Sequence, residues 1–95
     1  MSVERRLRNV GKRLTKLREE LRVADEQALH FAEVSDDTRI RSLVSETALA
    51  DQEHREAQRT TDAMERHRND LRGEIARLEE EQDDLLDRLG PRSSG

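Results

Sequence analysis

The chain has 95 residues, 42% of them charged and only 1% aromatic, with a formal net charge of −4 and no cysteine. That length holds at most one small domain, and the missing thiols exclude disulfides and thiolate chemistry. No apolar run reaches the roughly 18 residues of a membrane span, and none follows the start as a signal peptide would, so the cytoplasm is the expected setting.

So charged a composition suggests disorder unless the apolar residues are ordered along the chain. They are ordered, in steps of three and four. A first ladder runs Val3, Leu7, Val10, Leu14, Leu17, Leu21, Ala24, Ala28, Phe31, the heptad spacing of a helix that packs along one stripe. Ser2 can cap this helix, and Glu4 suits its first turn, where carboxylates meet unsatisfied backbone N–H groups. A helix over 3–33 is about 46 Å long at about 1.5 Å per residue, a length that points to coiled-coil packing. Gly11 lies off the stripe and costs about 1 kcal/mol relative to alanine, less than the surrounding heptads contribute.

A second ladder runs Ile40, Leu43, Thr47, Ala50, His54, Ala57, Thr61, Met64, Arg68, Leu71, Ile75, Leu78, Gln82, Leu85, Leu89. The two are out of register, because continuing the first leads to Ser35 and Ser42 while the second begins at Ile40. The spacing therefore predicts a turn over 33–38, with Ser35 as N-cap and Asp36 and Asp37 in the first turn of the next helix. An uninterrupted helix containing a stutter is the alternative. The second helix is expected over 36–89, stopped by Gly90 and Pro91, with 92–95 as a frayed tail.

Between 47 and 68 the second ladder is poor in large side chains, and Thr60, Thr61 and Asp62 could start a new helix. A break at 58–62 would close a three-helix bundle; without it, one helix of some 53 residues continues. A first helix folded back on that long one would leave Leu71, Ile75, Leu78, Leu85 and Leu89 uncovered, each forfeiting about 1.5–3 kcal/mol of burial. An antiparallel homodimer could cover them by laying the projecting half across the partner's hairpin. The expected fold is thus all-α: an antiparallel helical hairpin with a long second helix, forming one domain over 1–91 with coiled-coil or three-helix-bundle packing completed by dimerisation. Its core and oligomerisation residues are Leu7, Val10, Leu14, Leu17, Leu21, Phe31, Ile40, Leu43, Met64, Leu71, Ile75, Leu78, Leu85 and Leu89.

No phosphate loop is present, and His30, His54 and His67 lack metal-ligand spacing or a nucleophile beside them. No catalytic residue, metal ligand, cofactor or small-molecule substrate is therefore expected, and the chain reads as a non-enzyme. Charge is unevenly placed: residues 1–22 hold eight basic and three acidic groups, the remainder ten and nineteen. Arg5, Arg6, Arg8, Lys12 and Arg13 could bind phosphates of nucleic acid or nucleoprotein, although ordinary surface charge answered by the acidic second half is the plainer account.

If 33–38 forms the tip of a hairpin, Ser35, Asp36 and Asp37 stand at its end. In that outline, over 3 to about 66, the chain resembles the coiled-coil proteins that insert an acidic tip into the secondary channel of bacterial RNA polymerase, and the resemblance implies transcription regulation through Asp36 and Asp37. Stabilisation of a helix start is the plainer role for both acids. Ile40, Leu43 and Val44, with Val23, Leu29 and Val34, could make the turn end an adhesive surface, unless they fill a three-helix core. These features point to a structural or adaptor coiled coil that presents helical surfaces to another protein.

Overall fold

A computed structural model of the chain describes residues 2–90. It shows the expected all-α antiparallel helical hairpin with a long second helix. Helix α1 is Val3–Ser45 and helix α2 is Ala48–Arg88, 43 and 41 residues. Ser2 caps α1 by accepting a hydrogen bond from the Arg5 amide, 3.1 Å. Leu89 and Gly90 follow α2, and Gly90 has φ 120°, a conformation that favours glycine at a helix end. Pro91 and the tail expected at 92–95 lie outside the described residues.

The turn is not at 33–38. α1 runs through that stretch because it holds no glycine or proline and because its stripe continues past Phe31 as Ser35, Thr38 and Ser42. Ser35 and Thr38 are buried. The chain reverses instead at Glu46 and Thr47. Glu46 has φ 50°, and its amide donates to the Ser42 carbonyl at 3.1 Å, the left-handed capping arrangement that ends a helix. The Thr47 hydroxyl then accepts from the Ala50 amide at 3.1 Å, capping α2. The break weighed at 58–62 is absent, since Thr60 and Thr61 turn their hydroxyls to the carbonyls of Glu56 and Ala57 within a continuous helix.

Two compact units divide the fold. One comprises the described residues of 1–21 and 71–95. Its buried side chains are Val10, Leu14 and Leu17 from α1 and Leu71, Ile75 and Leu85 from α2, with Leu14 only 1% exposed. Burial of each leucine or isoleucine contributes about 1.5–3 kcal/mol, so this unit is held mainly by the hydrophobic effect. Because α1 and α2 are nearly equal in length, Leu71, Ile75 and Leu85 are buried within the chain itself. The projecting half that motivated exchange between subunits does not exist.

The second unit is Arg22–Asp70, and its interior is different. The buried residues are Ala24, Ala28, Ser35, Thr38, Ala50 and Thr61. Small side chains let two helices approach closely but remove little apolar surface from water, and hydroxyls need partners once buried.

The turn has a direct test. Glu46→Gly relieves the left-handed strain and should stabilise the hairpin by about 0.5–1 kcal/mol, whereas Thr47→Ala removes the cap and should cost about 1 kcal/mol. Urea denaturation followed by circular dichroism measures both; an unstable Glu46→Gly variant would place the reversal elsewhere.

Candidate protein-interaction surface

Within Arg22–Asp70 the interhelical seam is a chain of hydrogen bonds. The Ser35 hydroxyl donates to Gln58 Oε1 at 2.9 Å, and Gln58 Nε2 donates onward to Asp62 at 3.0 Å. The Thr38 hydroxyl donates to the Ser35 carbonyl at 2.9 Å, while its oxygen lies 3.3 Å from His54 Nδ1, which completes the chain as a donor in its Nδ1–H tautomer. Thr61 donates to the Phe31 carbonyl at 3.0 Å, Ser42 donates to Asp51, and Arg68 pairs with Asp25 at 2.8 Å. Partner numbers on α2 fall as those on α1 rise, which is antiparallel pairing. Among the described residues no buried side-chain nitrogen or oxygen lacks a hydrogen bond, so the polar seam is fully satisfied.

Apart from the half-buried Phe31 and Met64, the large apolar residues of this unit face outward. Leu29 and Ile40 are exposed, Leu43 is 67% and Val44 80% exposed, and Leu49 in the first turn of α2 is also exposed. At about 100° per residue, Leu29, Ile40, Leu43 and Val44 share the face of α1 opposite Ala24, Ala28, Ser35 and Thr38. Leucine out and serine in is the reverse of ordinary helix patterning, and the cluster of Ile40, Leu43 and Val44, separated from Leu29 by the exposed acids Glu33 and Asp36, is an apolar patch of the kind that marks interaction surfaces.

Of the residues expected to form the core, Val10, Leu14, Leu17, Leu71, Ile75 and Leu85 are buried, and Leu7, Leu21, Phe31, Met64 and Leu78 are half-buried. Ile40, Leu43 and Leu89 are exposed instead. Ile40 and Leu43 fall outside the seam because α1 keeps its own register through them.

Ser35, Asp36 and Asp37 do not form a tip. Ser35 is 5% exposed on the seam, Asp36 is exposed in mid-helix, and Asp37 pairs with Arg41 one turn on at 2.7 Å. The acid at the turn is Glu46, so the two residues on which the polymerase resemblance was drawn are not where it requires them. The basic group divides. Arg6, Arg13 and Arg18 pair with Glu81, Glu74 and Glu79 of α2 at 3.5, 2.8 and 3.2 Å. The hydrogen bond to Glu74, and then that carboxylate's charge, hold the Arg13 guanidinium above its ordinary value. Arg5, Arg8 and Lys12 are exposed.

Among the described residues no group of histidine, aspartate and glutamate side chains is placed to hold a metal ion, and no helix is long and apolar enough to cross a membrane. Sequence reasoning overlooked Thr38 and Gln58 as seam residues and Leu49 as part of the exposed apolar set. The repetition of hydroxyls at Ser35, Thr38 and Ser42 was the available signal. No known protein family, curated protein or solved structure matches the chain.

Replacing an outward leucine should leave the hairpin intact. Leu43→Ser is expected to keep the helical circular dichroism of the parent, whereas Leu14→Ala should lower stability by about 2–5 kcal/mol. Loss of helix in Leu43→Ser would return that residue to the core.

Proposed function

We propose that this chain is a non-enzymatic structural or adaptor module of the cytoplasm that presents helical surfaces to a macromolecular partner. One observation carries this reading: unit Arg22–Asp70 satisfies its interior with small and polar groups and exposes Leu29, Ile40, Leu43 and Val44 together on one helix face. Apolar side chains so arranged gain free energy only when another surface covers them. A tagged chain should retain a protein partner that an Ile40→Glu, Leu43→Glu variant loses. A partner retained equally by that variant would refute this use of the face.

A second reading is association with nucleic acid or nucleoprotein through α1. It is favoured by Arg5, Arg8 and Lys12, which are exposed, and by their spacing with Lys16 along one side of the helix. It is weakened by the acids of α2 that already engage Arg6 and Arg13. Phosphate contacts release counterions, so such binding should weaken steeply as salt rises and should fall further in Arg5→Glu, Arg8→Glu. Binding to DNA and RNA that is absent at low salt would eliminate this reading.

A further inference from the structure

We infer that the outer face of α1 receives a cationic amphipathic helix of a different protein. This rests on the adaptor reading of that face and names its occupant by chemistry. Two observations carry it.

The first is a second ladder. Leu29, Glu33, Asp36, Ile40 and Leu43 follow one another in steps of four, three, four and three, and Val44 lies beside the last. At about 100° per residue they share one stripe of α1, turned away from Ala24, Ala28, Ser35 and Thr38, and all are exposed. Such steps are the spacing by which one helix packs along another, so in this unit α1 carries two seams, one filled by α2 and one open. The rise of the helix fixes the shape that fits. Leu29 and Ile40 are eleven residues apart, about 16 Å, a distance that another helix spans in the same number of residues.

The second is charge. Among the described residues neither Glu33 nor Asp36 has an ion-pair partner. The cations beside the stripe, Arg22 and Arg41, are held by Glu26 and Asp37 on their own helix at 2.8 and 2.7 Å. Arg39 stands about 100° round the helix from Ile40, off the stripe. Acids at the centre of a seam select what covers them, because facing cations are attracted and facing acids are costly once desolvated. A second copy therefore fits badly: in a parallel pair Glu33 and Asp36 would face themselves, and in an antiparallel pair centred on the stripe Asp36 would face itself. A helix with apolar groups against Leu29, Ile40 and Leu43 and with arginine or lysine against Glu33 and Asp36 satisfies every position.

Area sets the strength of the contact. Ile40, Leu43 and Val44 expose 55%, 67% and 80% of their surfaces, roughly 300 Å² of apolar surface. With Leu29 and the partner's side included, the interface stays below about 1,200 Å², the size of transient complexes, and micromolar affinity is expected.

Fluorescence anisotropy on the full chain tests this with two helix-stabilised synthetic peptides, alike except at two positions. Both place leucines against Leu29, Ile40 and Leu43; one places arginines against Glu33 and Asp36, the other glutamates. The arginine peptide should bind at least about 10-fold more tightly than the glutamate peptide, and Glu33→Arg, Asp36→Arg should reverse that order. Ile40→Glu, Leu43→Glu should weaken binding of the arginine peptide by about 10-fold or more while helical circular dichroism is retained. Equal binding of the two peptides would overturn the charge selection, and indifference to Ile40→Glu, Leu43→Glu would move the contact off this face. Binding of neither peptide would overturn a helical partner, while the adaptor reading would still be decided separately by whether the tagged chain captures a protein through Ile40 and Leu43. A sedimentation mass of twice 11.1 kDa that Ile40→Glu, Leu43→Glu reduces to 11.1 kDa would give the face to a second copy and overturn the proposal.

Discussion

Hydroxyl groups can continue an interhelical seam begun by leucines, provided every one of them finds a partner once buried. In α1 that condition is met at the buried Ser35 by Gln58 and at the buried Thr38 by the Ser35 carbonyl and His54, and the half-buried Ser42 pairs with Asp51. The helix consequently keeps one register from Val3 to Ser42 and has no reason to end early. The location of the turn, the near equality of the two helices and the outward placement of Ile40 and Leu43 all follow from this continuity.

The two units solve stability differently. In the described residues of 1–21 and 71–95, buried Leu14, Leu17, Leu71, Ile75 and Leu85 supply a conventional hydrophobic core, edged by ion pairs such as Arg13 with Glu74. Those pairs are largely solvated, so they fix alignment more than they add stability. Unit Arg22–Asp70 buries alanine, serine and threonine and depends on hydrogen bonds that each contribute about 0.5–1.5 kcal/mol net. Leu29, Ile40, Leu43 and Val44 are thereby left available for association, which ties the interior of the helix pair to the proposed role of its outer face.

Periodicity made the all-helical hairpin legible, because Val10, Leu14 and Leu17 and again Leu71, Ile75 and Leu85 are large, regularly spaced and buried. Ser2 and Gly90 likewise acted where their chemistry indicates. The turn was not legible from hydrophobicity. Ile40 and Leu43 attract the eye as seam residues, but they belong to the opposite face, and the true seam passes through Ser35 and Thr38, whose suitability for burial depends on partners some twenty residues away. Glu46 gives no local signal either, since a left-handed turn ordinarily recruits glycine or asparagine. The candidate surface was visible as an apolar cluster of Leu29, Ile40, Leu43 and Val44; only the three-dimensional placement separates a docking face from a third layer of core.

The most direct measurement of this account is the distance between spin labels at positions 34 and 60, recorded with labelled chains diluted in unlabelled ones. With the reversal at Glu46 and Thr47 and a hydroxyl seam between the helices, these positions face each other across the pair, and a separation of roughly 10–15 Å is predicted from ordinary helix spacing. A separation of about 35 Å or more would mean that both stand far apart along one helix after an earlier turn, and would contradict the continuous register of α1.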